Sequence, residues 1–188
     1  PNMANKSDDR VVSVSPAGEQ FPLPGPGEER AEFRRLQALA RQARAQKQEV
    51  VVVVGLGFVG AVMAAVVADS TDKKGKPSKF VIGMQRPSRR SFWKIPLLNR
   101  GISPVKAEDP EVDPMIRRCV LEKRTLTATY TEEALRLADV VVVDVQCDYL
   151  KESLGNVCTG KADMAALEES LAVIARQIPP RALVLIET

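Results

Sequence analysis

The most constraining feature of the chain is an apolar strand that runs into a glycine-rich turn and then into an apolar helix. Five valines, Val50–Val54, precede Gly55-Leu56-Gly57-Phe58-Val59-Gly60, and residues 61–68 are all alanine, valine or methionine. In such a turn the first glycine allows a tight bend, the second lets the backbone approach a diphosphate, and the third lets the helix pack closely. The pattern predicts a dinucleotide site at the N-terminus of the helix, where free N–H groups and the helix dipole favour phosphate. The alternative is a glycine-rich turn in another kind of α/β protein.

Composition argues against several other classes of protein. The net charge of +3 is too small to indicate nucleic-acid binding, and 4% aromatic residues leave few rings for bases to stack on. No apolar run approaches the roughly 20 residues of a membrane-spanning helix, and the first residues are polar rather than a signal peptide. We therefore expect a cytoplasmic protein that binds neither nucleic acid nor membrane.

Metal and disulfide chemistry are not expected either. The chain has no histidine, and its cysteines, Cys119, Cys147 and Cys158, are odd in number and widely spaced. This spacing indicates neither a disulfide framework nor a metal site, and a histidine general base is absent.

The first 48 residues differ in composition from the rest of the chain. Proline and glycine recur in residues 1–26, which predicts an arm without regular structure. Residues 27–48 are rich in Glu, Arg, Ala, Gln and Leu and predict a helix with an apolar stripe at Phe33, Leu36, Ala40 and Ala43. Two interpretations of this helix stay open: a solvated helix packed at the edge of the domain, or a helix that binds a partner or phosphate.

Residues 49–188 alternate between apolar strands and helices. Strands are predicted over 50–54, 79–84, 125–129, 139–145 and 182–186, with helices over 58–70, 110–122, 131–138 and 163–177. Near-continuous Val, Ile and Leu runs indicate strands that are covered on both faces, as in a parallel sheet. Right-handed crossovers then predict an α/β fold with a Rossmann-like, doubly wound parallel sheet in the strand order 3-2-1-4-5.

Ligands of such a sheet bind beyond the carboxyl ends of the strands, where the winding reverses. The prediction therefore brings four strand ends together around one crevice. They are Gly55–Gly60, Gln85 with Arg86, Val145-Gln146-Cys147, and Glu187 with Thr188.

Four segments carry a family resemblance in their order along the chain. They are Val52–Gly60, the segment Leu98-Asn99-Arg100-Gly101-Ile102-Ser103-Pro104, Ala138–Val142 and Ala182–Thr188. Together they resemble the N-terminal NAD-binding domain of the UDP-glucose/GDP-mannose dehydrogenase family, the nucleotide-sugar dehydrogenases. The first segment is shared by many dehydrogenases, whereas the second argues against a hydroxyacid or phosphogluconate dehydrogenase.

The resemblance implies an oxidoreductase that uses NAD to oxidise the C6 alcohol of a UDP-sugar, such as UDP-glucose or UDP-N-acetylmannosamine, to a uronate for polysaccharide synthesis. It places the catalytic cysteine, the sugar subsites and the contacts of a homo-oligomer in further domains. We therefore expect these residues to bind dinucleotide weakly and to turn nothing over, with Cys147 kept only as a secondary candidate nucleophile. The alternative is a non-catalytic Rossmann nucleotide-binding or scaffold protein.

Gln85 departs from the family pattern, because an acidic residue there would accept hydrogen bonds from the adenosine ribose. Either its amide oxygen keeps that role and the cofactor is NAD, or Arg86 with Ser88 or Arg89 binds a 2′-phosphate and the cofactor is NADP. The resemblance favours NAD.

Two further assignments follow from the resemblance. Cys147 stands where the family has a threonine near the nicotinamide, and a thiol is a weaker hydrogen-bond donor. Arg90 or Lys94 matches the family's basic residue beyond the second strand, and Thr129 or Thr131 would reach the cofactor from the third strand.

Overall fold

The computed structural model of the chain describes residues 11–150 and 161–187. The strands, in chain order, are β1 Val12–Val14, β2 Gln20–Pro22, β3 Glu49–Val54, β4 Lys79–Met84, β5 Leu126–Thr129, β6 Val140–Val143, β7 Asp148–Leu150, β8 Lys161–Asp163 and β9 Leu183–Ile186. The α-helices are α1 Glu28–Ala45, α2 Phe58–Asp69, α3 Lys94–Asn99, α4 Val112–Arg117 and α5 Ala165–Gln177. A π-helical turn at Arg118–Glu122 follows α4, and a 3₁₀ helix spans Glu132–Leu137.

Five of these strands form one parallel sheet in the spatial order β5-β4-β3-β6-β9. Counted along the chain, the order of these five strands is 3-2-1-4-5. The central strand β3 is buried throughout its valine run, because helices cover both faces of the sheet. The predicted α/β class with a doubly wound parallel sheet is confirmed.

The alternation of valines in β3 divides the core into two layers. Val51 and Val53 face α2, α3 and α4, whereas Val50 and Val52 face α1, the 3₁₀ helix and α5. The side of α2 that meets the sheet consists of small residues, Gly60, Ala61, Ala64, Ala65 and Ala68, all of them buried. Small side chains let the helix lie close to the strands, so its N-terminus stays near the end of β3.

The helix predicted over residues 27–48 is α1, and it packs against a face of the sheet. Leu36, Ala40 and Ala43 are buried against the sheet. Among its arginines, Arg35 pairs with Glu32, and Arg44 pairs with Asp139 at 3.1 Å. These contacts favour the interpretation of a packed, solvated helix over that of a partner-binding one.

The prediction of an unstructured arm over residues 1–26 is wrong for residues 11–26. β1 and β2 pair antiparallel around a turn in which Gly18 has a φ of +86°. The Ser13 hydroxyl is buried and donates to the Arg89 carbonyl at 2.8 Å, and Phe21 is buried with the Arg100 guanidinium 5.3 Å from its ring centre. The hairpin forms because it has a partner surface on the domain, which the proline content of the segment does not reveal.

Candidate functional site

The glycine-rich turn leaves β3 and enters α2 with the geometry that the three glycines allow. Gly55 has a φ of +99°, and a Cβ there would lie 2.1 Å from the Asp144 carbonyl oxygen. A Cβ on Gly60 would lie 2.1 Å from the Gly55 carbonyl oxygen. Gly57 differs from both, because its φ of −73° suits any residue and nothing lies within 4 Å of a Cβ built on it. Gly55 and Gly60 are therefore required by the fold itself, whereas Gly57 borders open space.

The first turn of α2 offers backbone donors beside that space. Gly57 is the N-cap, so the N–H groups of Phe58 and Val59 have no partner within the helix. The side chains of Phe58 and Val59 are 57% and 48% exposed, and no acidic residue lies in this first turn of α2. Such a helix end attracts an anion.

Two side chains hold the turn from the side of β4. The amide oxygen of Gln85 accepts a hydrogen bond from the Leu56 N–H at 2.9 Å, and the Lys94 Nζ donates to the Leu56 carbonyl at 2.9 Å. Lys94 is half-buried, and burial lowers the pKa of its ammonium group. Both peptide groups of the buried Leu56 are thereby fixed, which keeps the turn in one conformation.

A cavity of about 390 Å³ lies at the carboxyl ends of β3, β4 and β6, which is within the size range of small-molecule sites. Its lining comes from the turn, the loop after β4, the loop after β6, and α5. The lining residues that carry polar chemistry are Gln85, Arg86, Lys94, Tyr130, Glu132, Asp144, Gln146, Glu169 and Ser170. The sheet topology thus produces one crevice at the predicted place.

An ion pair crosses this crevice between the end of β4 and α5. Arg86 Nη1 donates to one carboxylate oxygen of Glu169 at 3.0 Å, and Arg86 Nη2 lies 2.9 Å from the other oxygen. The two side chains are 55% and 58% exposed, so solvent screens the pair. The charge of Arg86 is therefore already paired with a carboxylate of the same chain.

Asp144 is the residue of the crevice that the sequence analysis does not single out. It follows β6 directly, and one of its carboxylate oxygens would lie 2.6 Å from a Cβ on Gly60, in the first turn of α2. Burial and the neighbouring Glu187 carboxylate raise the pKa of Asp144. Its position immediately beyond an apolar strand, at the switch point of the sheet, is the sequence signal that could have identified it.

The structure brings some of the predicted site residues to the cavity and leaves others away from it. Gly55, Gly57, Gln85, Arg86, Val145 and Gln146 line it. Leu56 is buried beneath the turn, and Phe58, Val59 and Glu187 are exposed at the rim. Of the two basic candidates, Lys94 lines the cavity and Arg90 does not.

The cysteines and threonines of the prediction have mainly structural surroundings. Cys147 is half-buried and packs against the apolar cluster beneath α1 and α5. Cys119 is buried, and burial raises the pKa of its thiol to about 11, the opposite of an activated nucleophile. The Thr129 hydroxyl donates to Glu32 at 2.7 Å, and the Thr131 side chain caps the 3₁₀ helix. Cys158 and Thr188 lie outside the described residues.

The described residues contain neither a candidate metal site nor a helix that could span a membrane. No group of three or more potential metal ligands is found in residues 11–150 and 161–187. Across that same part of the chain, no helix combines the length and the apolar character needed to cross a bilayer.

Comparison with known proteins separates sequence matches from structural ones. No protein-family model matches the chain, and no curated protein matches it in sequence. Among solved structures, the NDP-N-acetyl-D-galactosaminuronic acid dehydrogenase of Methanosarcina mazei Go1 is similar, with a TM-score of 0.63 and 27% identity over 81% of this chain and 29% of its own.

Two further solved structures are similar in fold. The GDP-mannose dehydrogenase of Pseudomonas aeruginosa is 24% identical over 72% of this chain and 27% of its own, with a TM-score of 0.56. The UDP-D-ManNAc dehydrogenase of Pyrococcus horikoshii is 24% identical over 73% and 28%, also with a TM-score of 0.56. All three are nucleotide-sugar dehydrogenases.

The resemblance to the nucleotide-sugar dehydrogenase family is confirmed. The chain spans less than a third of the length of these dehydrogenases, from 27% to 29%. The likeness therefore concerns the dehydrogenase-family domain that carries the glycine-rich turn.

Proposed function

We propose that residues 49–188 form the NAD-binding domain of a nucleotide-sugar dehydrogenase. The observation that carries the proposal is the first turn of α2, where Gly57 borders open space and the N–H groups of Phe58 and Val59 lack helical partners. A diphosphate needs such donors, and the adjoining crevice has the volume and the position of a dinucleotide site. When bound, NAD supplies the acceptor for a hydride, and the protein supplies binding and orientation.

Each half of the cofactor has residues suited to it. Gln85 ends the second strand of the sheet, where the adenosine ribose binds in folds of this type, and its NH₂ group is left to donate because its oxygen already accepts from Leu56. The Lys94 ammonium is a cation on the same side. Val145 and Gln146 line the crevice beyond β6, on the side that would hold the nicotinamide.

The ion pair of Arg86 favours NAD over NADP. A 2′-phosphate that used Arg86 would have to compete with the carboxylate of Glu169. NAD carries no 2′-phosphate, so it leaves this pair intact.

The activity that we propose for the whole protein is the oxidation of the C6 alcohol of a UDP-sugar to a uronate, in the cytoplasm and as a homo-oligomer. The similar structures are dehydrogenases of nucleotide sugars by name, and together with the resemblance of four sequence segments they support this substrate class. In this proposal the sugar subsites and the catalytic cysteine belong to domains other than the one described.

Calorimetric titration of the chain with NAD and with NADP tests the cofactor assignment. We expect one NAD site per chain and weaker binding of NADP, with no NADH formed when a UDP-sugar is added. Equal or tighter binding of NADP would contradict the choice of NAD, and absence of binding by both would contradict the dinucleotide site. Hydride transfer to NAD by this chain alone would contradict the assignment of catalysis to other domains.

A further inference from the structure

Resting on the proposed NAD site, we infer that the Asp144 carboxylate acts as an internal competitor of the cofactor diphosphate at the N-terminus of α2 and so makes dinucleotide binding pH-dependent. Its location carries the inference. One carboxylate oxygen would lie 2.6 Å from a Cβ on Gly60, which belongs to the same first helical turn as the N–H groups of Phe58 and Val59. One turn of helix is only about 5.4 Å long, so the carboxylate and a bound diphosphate share one helix end.

The carboxylate has a structural role there as well as an electrostatic one. The first turn of α2 has no acidic residue and no side-chain cap of its own. Asp144 places a carboxylate beside this helix end from the end of β6, where its charge interacts favourably with the helix dipole. The same negative charge repels a second anion placed at that end.

No cation of the described residues neutralises this charge directly. Among the residues that the structure describes, the charged neighbour that shifts the Asp144 pKa is Glu187, whose carboxylate raises it. The first turn of α2 presents no acidic side chain to it. The charged groups on the other walls of the crevice are Lys94 on α3, Arg86 after β4 with its partner Glu169 on α5, and Glu132 on the 3₁₀ helix.

The direction of the pH effect follows from these surroundings. Burial and Glu187 raise the pKa of Asp144 above its usual range, so the carboxylate takes up a proton as the pH falls through that raised pKa. The cofactor diphosphate stays ionised over the same range. Dinucleotide affinity therefore rises on acidification, because protonation removes the repulsion.

Titration of the chain with NAD and with ADP-ribose, at a series of pH values from 8 down to 4.5, tests the inference on wild type, D144N and D144A. The Asn side chain keeps the size and one oxygen of the Asp side chain without the charge, and D144A is the second variant in case D144N folds poorly. The control is D113N, since Asp113 does not line the crevice and its replacement changes the net charge equally. Thermal unfolding of each variant verifies that it is folded.

We expect D144N to bind both ligands at least fivefold more tightly than wild type at pH 8. Wild type should gain affinity as the pH falls, whereas D144N should show no such gain and D113N should behave as wild type. Unchanged or weaker binding by folded D144N and D144A overturns the inference while leaving the NAD site in place. Absence of binding by every variant overturns the proposed function as well, because no diphosphate is then present to compete with.

Discussion

Replacing Gly57 by valine separates the cofactor role of the glycine-rich turn from its structural role. Gly57 has a φ of −73° and a ψ of −166°, both allowed for valine, and nothing lies within 4 Å of a Cβ at this position. The free energy of unfolding should therefore fall by no more than about 1 kcal/mol, the order of the cost of valine in place of glycine at an N-cap. The new side chain would instead stand in the space that a diphosphate needs to reach the N–H groups of Phe58 and Val59.

The expected loss of affinity follows from the hydrogen bonds that would be lost. A hydrogen bond to a charged group contributes about 1.5–3 kcal/mol, so the loss of even one lowers NAD affinity by about tenfold or more. Calorimetry measures the affinity, and urea unfolding measures the stability. The matched control is Gly60→Ala, whose Cβ would lie 2.1 Å from the Gly55 carbonyl oxygen.

The two variants should show opposite results. Gly60→Ala should lose at least about 2 kcal/mol of stability, because backbone rather than a flexible side chain must move. Gly57→Val should keep its stability and lose its affinity. A folded Gly57→Val variant that binds NAD as tightly as wild type would refute the reasoning that a diphosphate rests against this turn.

Two other predictions concern charged pairs. Asp69→Asn should cost about 2 kcal/mol in urea unfolding at pH 7, because Asp69 accepts from Arg118 at 2.9 and 2.7 Å and from Lys123 at 2.7 Å. The Arg118 guanidinium lowers the pKa of Asp69. The stabilisation by the ionised Asp69 is therefore fully present above the ordinary aspartate pKa and is lost as the pH falls through the lowered pKa. A difference in stability between wild type and Asp69→Asn that stays the same in strong acid would contradict this prediction. Glu169→Gln should leave the stability nearly unchanged, because the ion pair is exposed, and should raise NADP affinity relative to NAD by releasing Arg86. Glu168→Gln, at the adjacent position of α5, should leave that ratio unchanged. A ratio of NADP to NAD affinity that does not respond to Glu169→Gln would show that Arg86 does not face the ribose.

The sheet could be predicted because its strands appear in the sequence as continuous apolar runs. Strands buried on both faces must be continuously apolar, and the runs at 50–54 and 79–84 fall within the observed β3 and β4. The prolines after α5 and the glycines before α2 place the helix boundaries near those observed.

The parts that were missed depend on contacts between distant segments. The β1–β2 hairpin has only three residues in each strand, too few for a periodic pattern, and its buried Ser13 bonds to a residue 76 positions away. Which of the two basic candidates reaches the site, Arg90 or Lys94, also depends on the fold. Arg90 lies in the loop before α3, whereas Lys94 begins α3 and reaches Leu56 across 38 positions.

The side-chain contacts within the crevice could not be predicted from the sequence. The sequence around Arg86 shows no partner for its charge, but in the fold α5 places Glu169, which is 83 positions away in the chain, against it. Asp144 ends an apolar strand in the sequence, and only the fold shows that its carboxylate meets the N-terminus of α2. Both pairings alter the electrostatics that a motif alone predicts.

A crystal structure of the chain with NAD bound tests the central claim most directly. The account predicts that the cofactor diphosphate accepts hydrogen bonds from the N–H groups of Phe58 and Val59, with the adenosine ribose beside Gln85. A diphosphate bound away from the first turn of α2, or a crevice that stays empty at saturating NAD, would contradict it.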